Sequence, residues 1–328
     1  YDVVPVSGNW RQGDPFSGRE ERGWVYGRGT ADMKGSIASL LLALEALRAT
    51  RTEPQMNVEV SFTADEETDS TLGSGWLVRH APISPDYAVV MEGGEGRAVC
   101  CGHNGTLWLE VTVHGRAAHG STPEKGVNAL EHMAALIGAL DAYKARLAAR
   151  PWRSPEGRVL RPTINLGGVF HCGDGAKINT VPAQATFTID RRVLPLEDHA
   201  AAERELRAFL AAAARAIPRC RLTVRKISEN FASFSEPGHP FFAAMARCVT
   251  AERGERARFN VSTGFNDMHF FAHHLRIPTL GYGPGGEGCH AVDERAQVRE
   301  LLASARIYAA LLTEFDGVAD AGAVRPAR

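Results

Sequence analysis

The stretch Val58-Glu59-Val60-Ser61-Phe62-Thr63-Ala64-Asp65-Glu66-Glu67 runs from an alternating apolar segment into two adjacent acids. Residues 58–62 read as a buried strand, which puts Glu66 and Glu67 at its carboxyl end. Neighbouring side chains on an extended chain point in opposite directions. The two carboxylates can therefore do separate jobs, one holding a metal ion and the other moving a proton. A solvated strand end would tolerate two acids equally well, so the pair takes its meaning from its company.

Three other segments keep that company. Asp32 lies in Gly27-Arg28-Gly29-Thr30-Ala31-Asp32-Met33-Lys34-Gly35, Glu92 in Val89-Val90-Met91-Glu92-Gly93-Gly94, and His290 in Gly288-Cys289-His290-Ala291-Val292-Asp293-Glu294. The shared pattern is an apolar run, then an acid or histidine, with glycines close by. In open α/β sheets, ligands bind in the crevice beyond the carboxyl ends of the strands.

Outward from these segments the chain alternates. Ile37, Leu40, Leu41, Leu44 and Leu47 recur at helical spacing and predict an amphipathic helix over 33–49. Residues 87–91 read as a second buried strand. The expected class is α/β, a layered domain with a largely parallel sheet. The middle of the chain has another texture. Leu107, Leu109, Val111 and Val113 alternate with Trp108, Glu110 and Thr112, as in a strand with one solvated face. A helix at 127–149, strands at 163–170 and 183–190, a helix at 196–215 and a strand at 220–226 complete a β-α-β-β-α-β order. That is the ferredoxin-like unit. It divides the chain into a domain of 1–104 plus 228–328, interrupted by an insert of 105–227. The strand-like 277–282, a helix from about 295 to 315 and a frayed end from Asp316 close the pattern.

Composition excludes several classes. A chain of 328 residues with 44% hydrophobic residues can bury a large core. The formal net charge of -1 and the lack of a basic block argue against a nucleic-acid partner. No window resembles a membrane span, since even 37–47 is short and contains Glu45. Six cysteines without a CxxC spacing point to reduced thiols in a cytoplasmic protein.

The segments already quoted, together with Asp2-Val3-Val4-Pro5, Gly115-Arg116-Ala117-Ala118-His119, Asn179-Thr180-Val181-Pro182, Asp190-Arg191-Arg192 and Gly283-Pro284-Gly285, run in order over nearly the whole chain. In them the chain resembles the metallopeptidase and deacylase family of acetylornithine deacetylase, succinyl-diaminopimelate desuccinylase, aminoacylase and glutamate carboxypeptidase. The resemblance implies a catalytic domain of aminopeptidase type with the insert as a lid and dimerisation domain. It implies two divalent ions, zinc first and cobalt or manganese as alternatives, bridged by Asp32. Glu67 and His290 would complete one metal and Glu92 would serve the other. Hard carboxylate oxygens and imidazole nitrogens suit zinc, and a metal pair can polarise a carbonyl and a water together. Glu66 would take a proton from the attacking water and hand it to the departing amine.

Asp2 matches the family acid that orients a metal-binding histidine placed two residues before it, a position that would lie one residue ahead of Tyr1. Either the chain is a fragment that has lost this ligand or it starts here with a crippled site; the expectation is the fragment, with weak occupancy of one metal. His119 resembles the family histidine that holds a developing oxyanion, often across a subunit boundary in a homodimer. Asn179 and Arg192 resemble groups that grip a substrate carboxylate or carbonyl, Arg192 by a bidentate fork, while Arg191 is expected to face solvent. The implied substrate is a small N-acylated amino acid or short peptide with a free carboxylate. A dipeptidase or carboxypeptidase of the same family and a non-catalytic dimeric binding relative are the alternatives. His273-His274 and Cys100-Cys101 read as structural, Asp267 receives no chemical role, and Glu294 either caps the next helix or touches the metal shell.

Overall fold

The structure is a computed structural model, which describes residues 1–93, 96–173 and 176–317. Its α-helices are α1 Gly35–Thr50, α2 Ser74–His80, α3 Ala129–Ala148, α4 His199–Ala216, α5 Pro240–Arg253 and α6 Val298–Glu314. The chain folds as two compact units. One comprises Tyr1–Gly102, Phe234–Ser262 and the chain from Asn266 onward, and the other comprises His103–Ser233 and Thr263–Phe265. The fold is mixed α/β in two domains. The expected frayed end falls largely outside the described residues.

The first unit is built on a mixed sheet. Thr279–Gly281 runs parallel to Ala88–Val90 and antiparallel to Ala98–His103, with Gly281 opposite Cys100. The largely parallel sheet read from the sequence is therefore corrected to a mixed one. Helix α6 packs against both α1 and α5. On α1 the buried stripe is Ser36, Leu40, Ala43 and Leu47, while Leu41, expected on that stripe, is 52% exposed. Ser39 and Ala43 are small enough to let a neighbouring helix approach there, which displaces the larger leucines sideways.

Residues 58–62 are the main departure. They form no strand, and Val58, Val60 and Phe62 are exposed. Alternation places apolar groups on one side but supplies no hydrogen-bonding neighbour. Among the described residues nothing pairs with this backbone as a ladder. Asp2-Val3-Val4, also read as strand, is likewise irregular.

In the second unit the strands Arg221–Asn230, Gly105–His114, Gln184–Val193 and Thr163–His171 lie in that spatial order, each antiparallel to its neighbour. Period two is visible in the burial of Gly105–His114. Leu107, Leu109, Val111 and Val113 are completely buried against Met133, Leu136 and Leu140 of α3 and Leu206 and Leu210 of α4. Both helices start on side-chain caps. Asn128 accepts from the Leu130 and Glu131 N–H groups, and Asp198 accepts from that of Ala201, satisfying donors that a helix start leaves unpaired. The same alternation corrects Arg191. It shares the helix-covered face with Phe187 and Ile189, is fully buried, and pairs with Glu197 at 2.9 Å. Faces alternate as expected, but the second face is covered by helices rather than by water.

A candidate metal centre

Asp32 owes its place to a loop pinned from below. Gly27 and Gly29 take φ of 154° and 87°, values closed to other side chains at low cost, and a Cβ on Gly29 would meet Val3 Cγ1 at 2.7 Å. Glu294, fully buried, reaches under this loop. Its Oε2 accepts from the Gly29 N–H at 3.0 Å and from Arg28 Nη1 at 2.5 Å. Its Oε1 accepts from the Ala31 and Asp32 N–H groups at 2.9 and 3.0 Å. Glu294 thus does not cap the helix that follows it. It holds the peptide that carries Asp32.

Glu66 and Glu67 sit on a turn. Asp65 has φ of 76°, its carbonyl accepts from the N–H groups of Thr68, Asp69 and Ser70, and its carboxylate accepts from Leu72 N at 2.9 Å. The turn brings both following acids to one cavity, where an extended strand would have parted them. Asp2 fastens it from the other side. Its two oxygens accept from Glu66 N at 3.2 Å and Glu67 N at 3.3 Å. Glu92 follows strand Ala88–Val90 after one residue, Met91. The cavity is lined by Tyr1, Asp2, Asp32, Met33, Glu66, Glu67 and Glu92. His290, at φ 61°, closes on it with Nε2 3.2 Å from Asp32 Oδ2 and 3.0 Å from Glu67 Oε2.

So much negative charge in one place is costly. Burial, then the charges of Asp267, Asp32, Glu67 and Asp2, push the Glu66 carboxyl up to about 8. Burial and Asp32 raise Glu67 against the opposing pull of His290. Burial and the neighbouring acids hold Glu92 well above the carboxylate range, and its buried Oε2 has no hydrogen-bond partner among the described residues. A cation placed among these oxygens relieves all three. The donor set, carboxylate oxygens with one imidazole, fits a divalent ion of the zinc, cobalt or manganese kind.

The model of peptidase family M20/M25/M40 matches residues 1–314. The chain belongs to this family. Among curated members it is 30% identical over 325 residues to succinyl-diaminopimelate desuccinylase of Methylobacterium nodulans, covering 96% of this chain and 78% of that one. It is 31% identical over 320 residues to acetylornithine deacetylase of Proteus mirabilis, covering 96% and 77%. In fold it is similar to the dipeptidase Dug1p of Saccharomyces cerevisiae, with TM-score 0.71, 17% identity and coverage of 95% and 77%. It is also similar to an M20 metallo-carboxypeptidase of Sulfolobus solfataricus, with TM-score 0.70, 19% identity and coverage of 95% and 82%. M20 enzymes depend on divalent metal ions and hydrolyse amide or peptide bonds, and this chain is a hydrolase of that kind.

The structure thus gathers Asp2, Asp32, Glu66, Glu67, Glu92 and His290. His119, Asn179 and Arg192 belong to the second unit. There His119 pairs with Thr180 across a two-stranded ribbon, the Asn179 carbonyl accepts from Gly120 N–H at 2.7 Å, and Arg192 is bound to Asp190 at 2.9 Å. Ribbon pairing makes His119 and Asn179 close neighbours. Two residues at the cluster have no role in the sequence reading. Asp267, buried and accepting from Ser74 Oγ at 2.5 Å, acts on Glu66 by charge, and its only signal was the segment Gly264-Phe265-Asn266-Asp267. Cys289 lies 3.0 Å from Asp32 Oδ2 and had no signal beyond standing next to His290. No described helix is long and apolar enough to cross a membrane.

Proposed function

We propose that the chain is a two-metal amidohydrolase that removes the acyl group from an N-acylated amino acid, in the manner of the deacetylase and desuccinylase it resembles. The observation that carries this is the convergence of five carboxylates and His290 on one cavity, with Glu92 Oε2 buried and unpartnered. Asp32 would bridge two ions, with Glu67 and His290 on one and Glu92 on the other, zinc being the expected metal. Bound ions supply Lewis acidity toward the scissile carbonyl and the attacking water.

Glu66 moves the proton. Its carboxylate lines the cavity shared with the proposed metal ligands, where it can take a proton from the attacking water and return it to the departing amine. Asp2 fixes Glu66 by its backbone N–H, so the proton carrier hangs from a rigid turn. In the second unit, read as a ferredoxin-like lid and dimerisation domain spanning 105–227, Arg192 and Asn179 would hold the substrate carboxylate and His119 the developing oxyanion. Salt-bridged Arg192 would exchange Asp190 for the substrate. The assembly is proposed to be a cytoplasmic homodimer, with His119 serving the partner's site.

The test is hydrolysis of N-acetylornithine, N-succinyl-diaminopimelate, other N-acetyl amino acids and dipeptides with added zinc, cobalt or manganese. Turnover of acylated amino acids above dipeptides is the expected result. Turnover of dipeptides alone would move the assignment to a peptidase, and a flat response to every substrate and metal would remove it.

A further inference from the structure

Asp267 is a buried acid at the cluster to which neither the metal nor the proton-transfer assignment gives a role. It is 6% exposed and accepts a hydrogen bond from Ser74 Oγ at 2.5 Å. Ser74, itself buried, has a second partner in the Thr63 hydroxyl, 3.1 Å away. A hydroxyl carries one hydrogen, and that of Ser74 goes to Asp267. Thr63 is therefore the donor in the second bond. The two bonds form a directed chain from Thr63 through Ser74 to the Asp267 carboxylate, each polarising the other.

What this chain of bonds holds is the turn of Glu66 and Glu67. Thr63 stands at the entry of that turn, which Asp65 closes on Leu72 and Asp2 fastens at the Glu66 and Glu67 amides. Ser74 is the first residue of α2, and the start of this helix lies tightly against the same entry. A Cβ on Gly73 would fall 1.9 Å from the Ala64 carbonyl oxygen, and one on Gly75 would fall 2.9 Å from Phe270. Asp267 comes from a segment 193 residues after Ser74 and is fixed there by local bonds. Its carbonyl accepts from the Phe270 N–H at 3.1 Å, and Asn266 Oδ1 accepts from the Met268 N–H at 3.1 Å. The Asp267 charge adds to the repulsion felt by Glu66 and Glu92. Its favourable contribution at this place therefore lies in the hydrogen bonds it accepts.

We propose that Asp267 is a positioning residue for the hydrolysis, acting through Ser74 and Thr63 to hold the turn that carries Glu66. This rests on the reading of Glu66 as the proton carrier and deepens it. Asp2 grips the turn at its far side and Asp267 at its entry, so Glu66 is held between two buried or half-buried carboxylates from opposite parts of the chain. A displacement of about 1 Å at a reacting group can cost about 100-fold in rate. Release of Thr63 leaves the entry of the turn free to shift by such an amount.

Two readouts on the whole protein saturated with zinc test this. Thr63→Val keeps the shape of the side chain and removes the donor, whereas Thr63→Ser keeps the donor. In hydrogen exchange, the Glu66 and Glu67 amides should exchange about fivefold to tenfold faster in Thr63→Val, with slow exchange restored in Thr63→Ser and the amides of α1 unchanged. In turnover of an N-acylated amino acid, Thr63→Val should lower kcat by about tenfold or more, with KM and zinc content within about twofold. Thr63→Ser should recover most of that loss. Asp267→Ala added to Thr63→Val should bring no further fall in kcat or rise in exchange, because both break one chain of bonds. Asp267→Asn, which keeps an acceptor for Ser74, should retain slow exchange and decides the matter if Asp267→Ala does not fold. Exchange unchanged in Thr63→Val, equal losses in Thr63→Val and Thr63→Ser, or losses that add in the double substitution would overturn the role of Asp267 while leaving Glu66 as proton carrier. No turnover by the unsubstituted protein would instead remove the amidohydrolase reading, and exchange would still decide whether Asp267 holds the turn.

Discussion

At the residue scale, Glu66 is distinguished from Glu67 by surroundings rather than by sequence. Both follow Asp65 on one turn, yet only Glu67 contacts His290, at 3.0 Å. Glu66 is left beside buried Asp267, whose charge adds to burial in raising it. Glu66→Ala should lower hydrolysis by about 100-fold or more with metal content unchanged, since a positioned proton carrier contributes on that order. A loss within about tenfold would reassign the role. The same surroundings predict a pH effect on the metal-free protein. A carboxyl raised to about 8 in the fold, against 4.5 when unfolded, binds its proton more tightly folded. Its contribution to stability is therefore complete below about pH 4.5 and is lost as pH rises toward 8. Urea denaturation of chelator-treated protein should show falling stability across that window, and saturating zinc should flatten it.

At the scale of elements, the tether from Glu294 to the loop 27–32 joins two parts of the site that are far apart in sequence. Arg28 and Glu294 each have side chains only 1% exposed, so Glu294→Ala leaves a buried guanidinium without its counter-charge. A loss of about 3–5 kcal/mol is expected, read by chemical denaturation, with weaker metal binding because Asp32 loses its support. In the second unit the alternation of Gly105–His114 predicts where truncation hurts. Leu109 is fully buried, and Leu109→Ala should cost about 2–5 kcal/mol.

Legibility in the sequence differed between these elements for a physical reason. The strands and helices of the second unit were readable because each carries its periodicity within itself and buries it against neighbours in the same unit. Residues 58–62 carry equally good alternation and form no strand, because a strand needs a hydrogen-bonding partner as well as a pattern. Arg191 was misread for a related cause. Period two says which residues share a face, but which face the helices cover is a property of the packing.

At the scale of the whole molecule, the acid cluster makes metal binding and stability one question. Groups that repel one another in the metal-free fold attract a cation, and the unfolded chain has no such cluster. Saturating zinc at about 100 times its dissociation constant should stabilise the protein by about 2.7 kcal/mol, measured as a rise in melting temperature that chelation reverses. An unchanged melting temperature would mean that the cluster holds no ion. If His119 acts across a subunit boundary, mixing His119→Ala and Glu66→Ala subunits should restore part of the activity lost in each, and no recovery would confine it to its own chain.

What the sequence determined by itself was the inventory: Asp32, Glu66, Glu67, Glu92 and His290, each flanked by glycine or following an apolar run, in an order shared with the M20/M25/M40 family. Residue type and flanking turn chemistry are local, and so they survive in one dimension. Only the tertiary structure decided that Glu66 and Glu67 face one cavity, that Glu294 braces Asp32, that Asp267 presses on Glu66, and that Cys289 stands 3.0 Å from Asp32. Each of these depends on a distance between segments some 200 residues or more apart, or on a backbone turn that reverses strand alternation. Such distances are set by how the core packs, which no local pattern encodes.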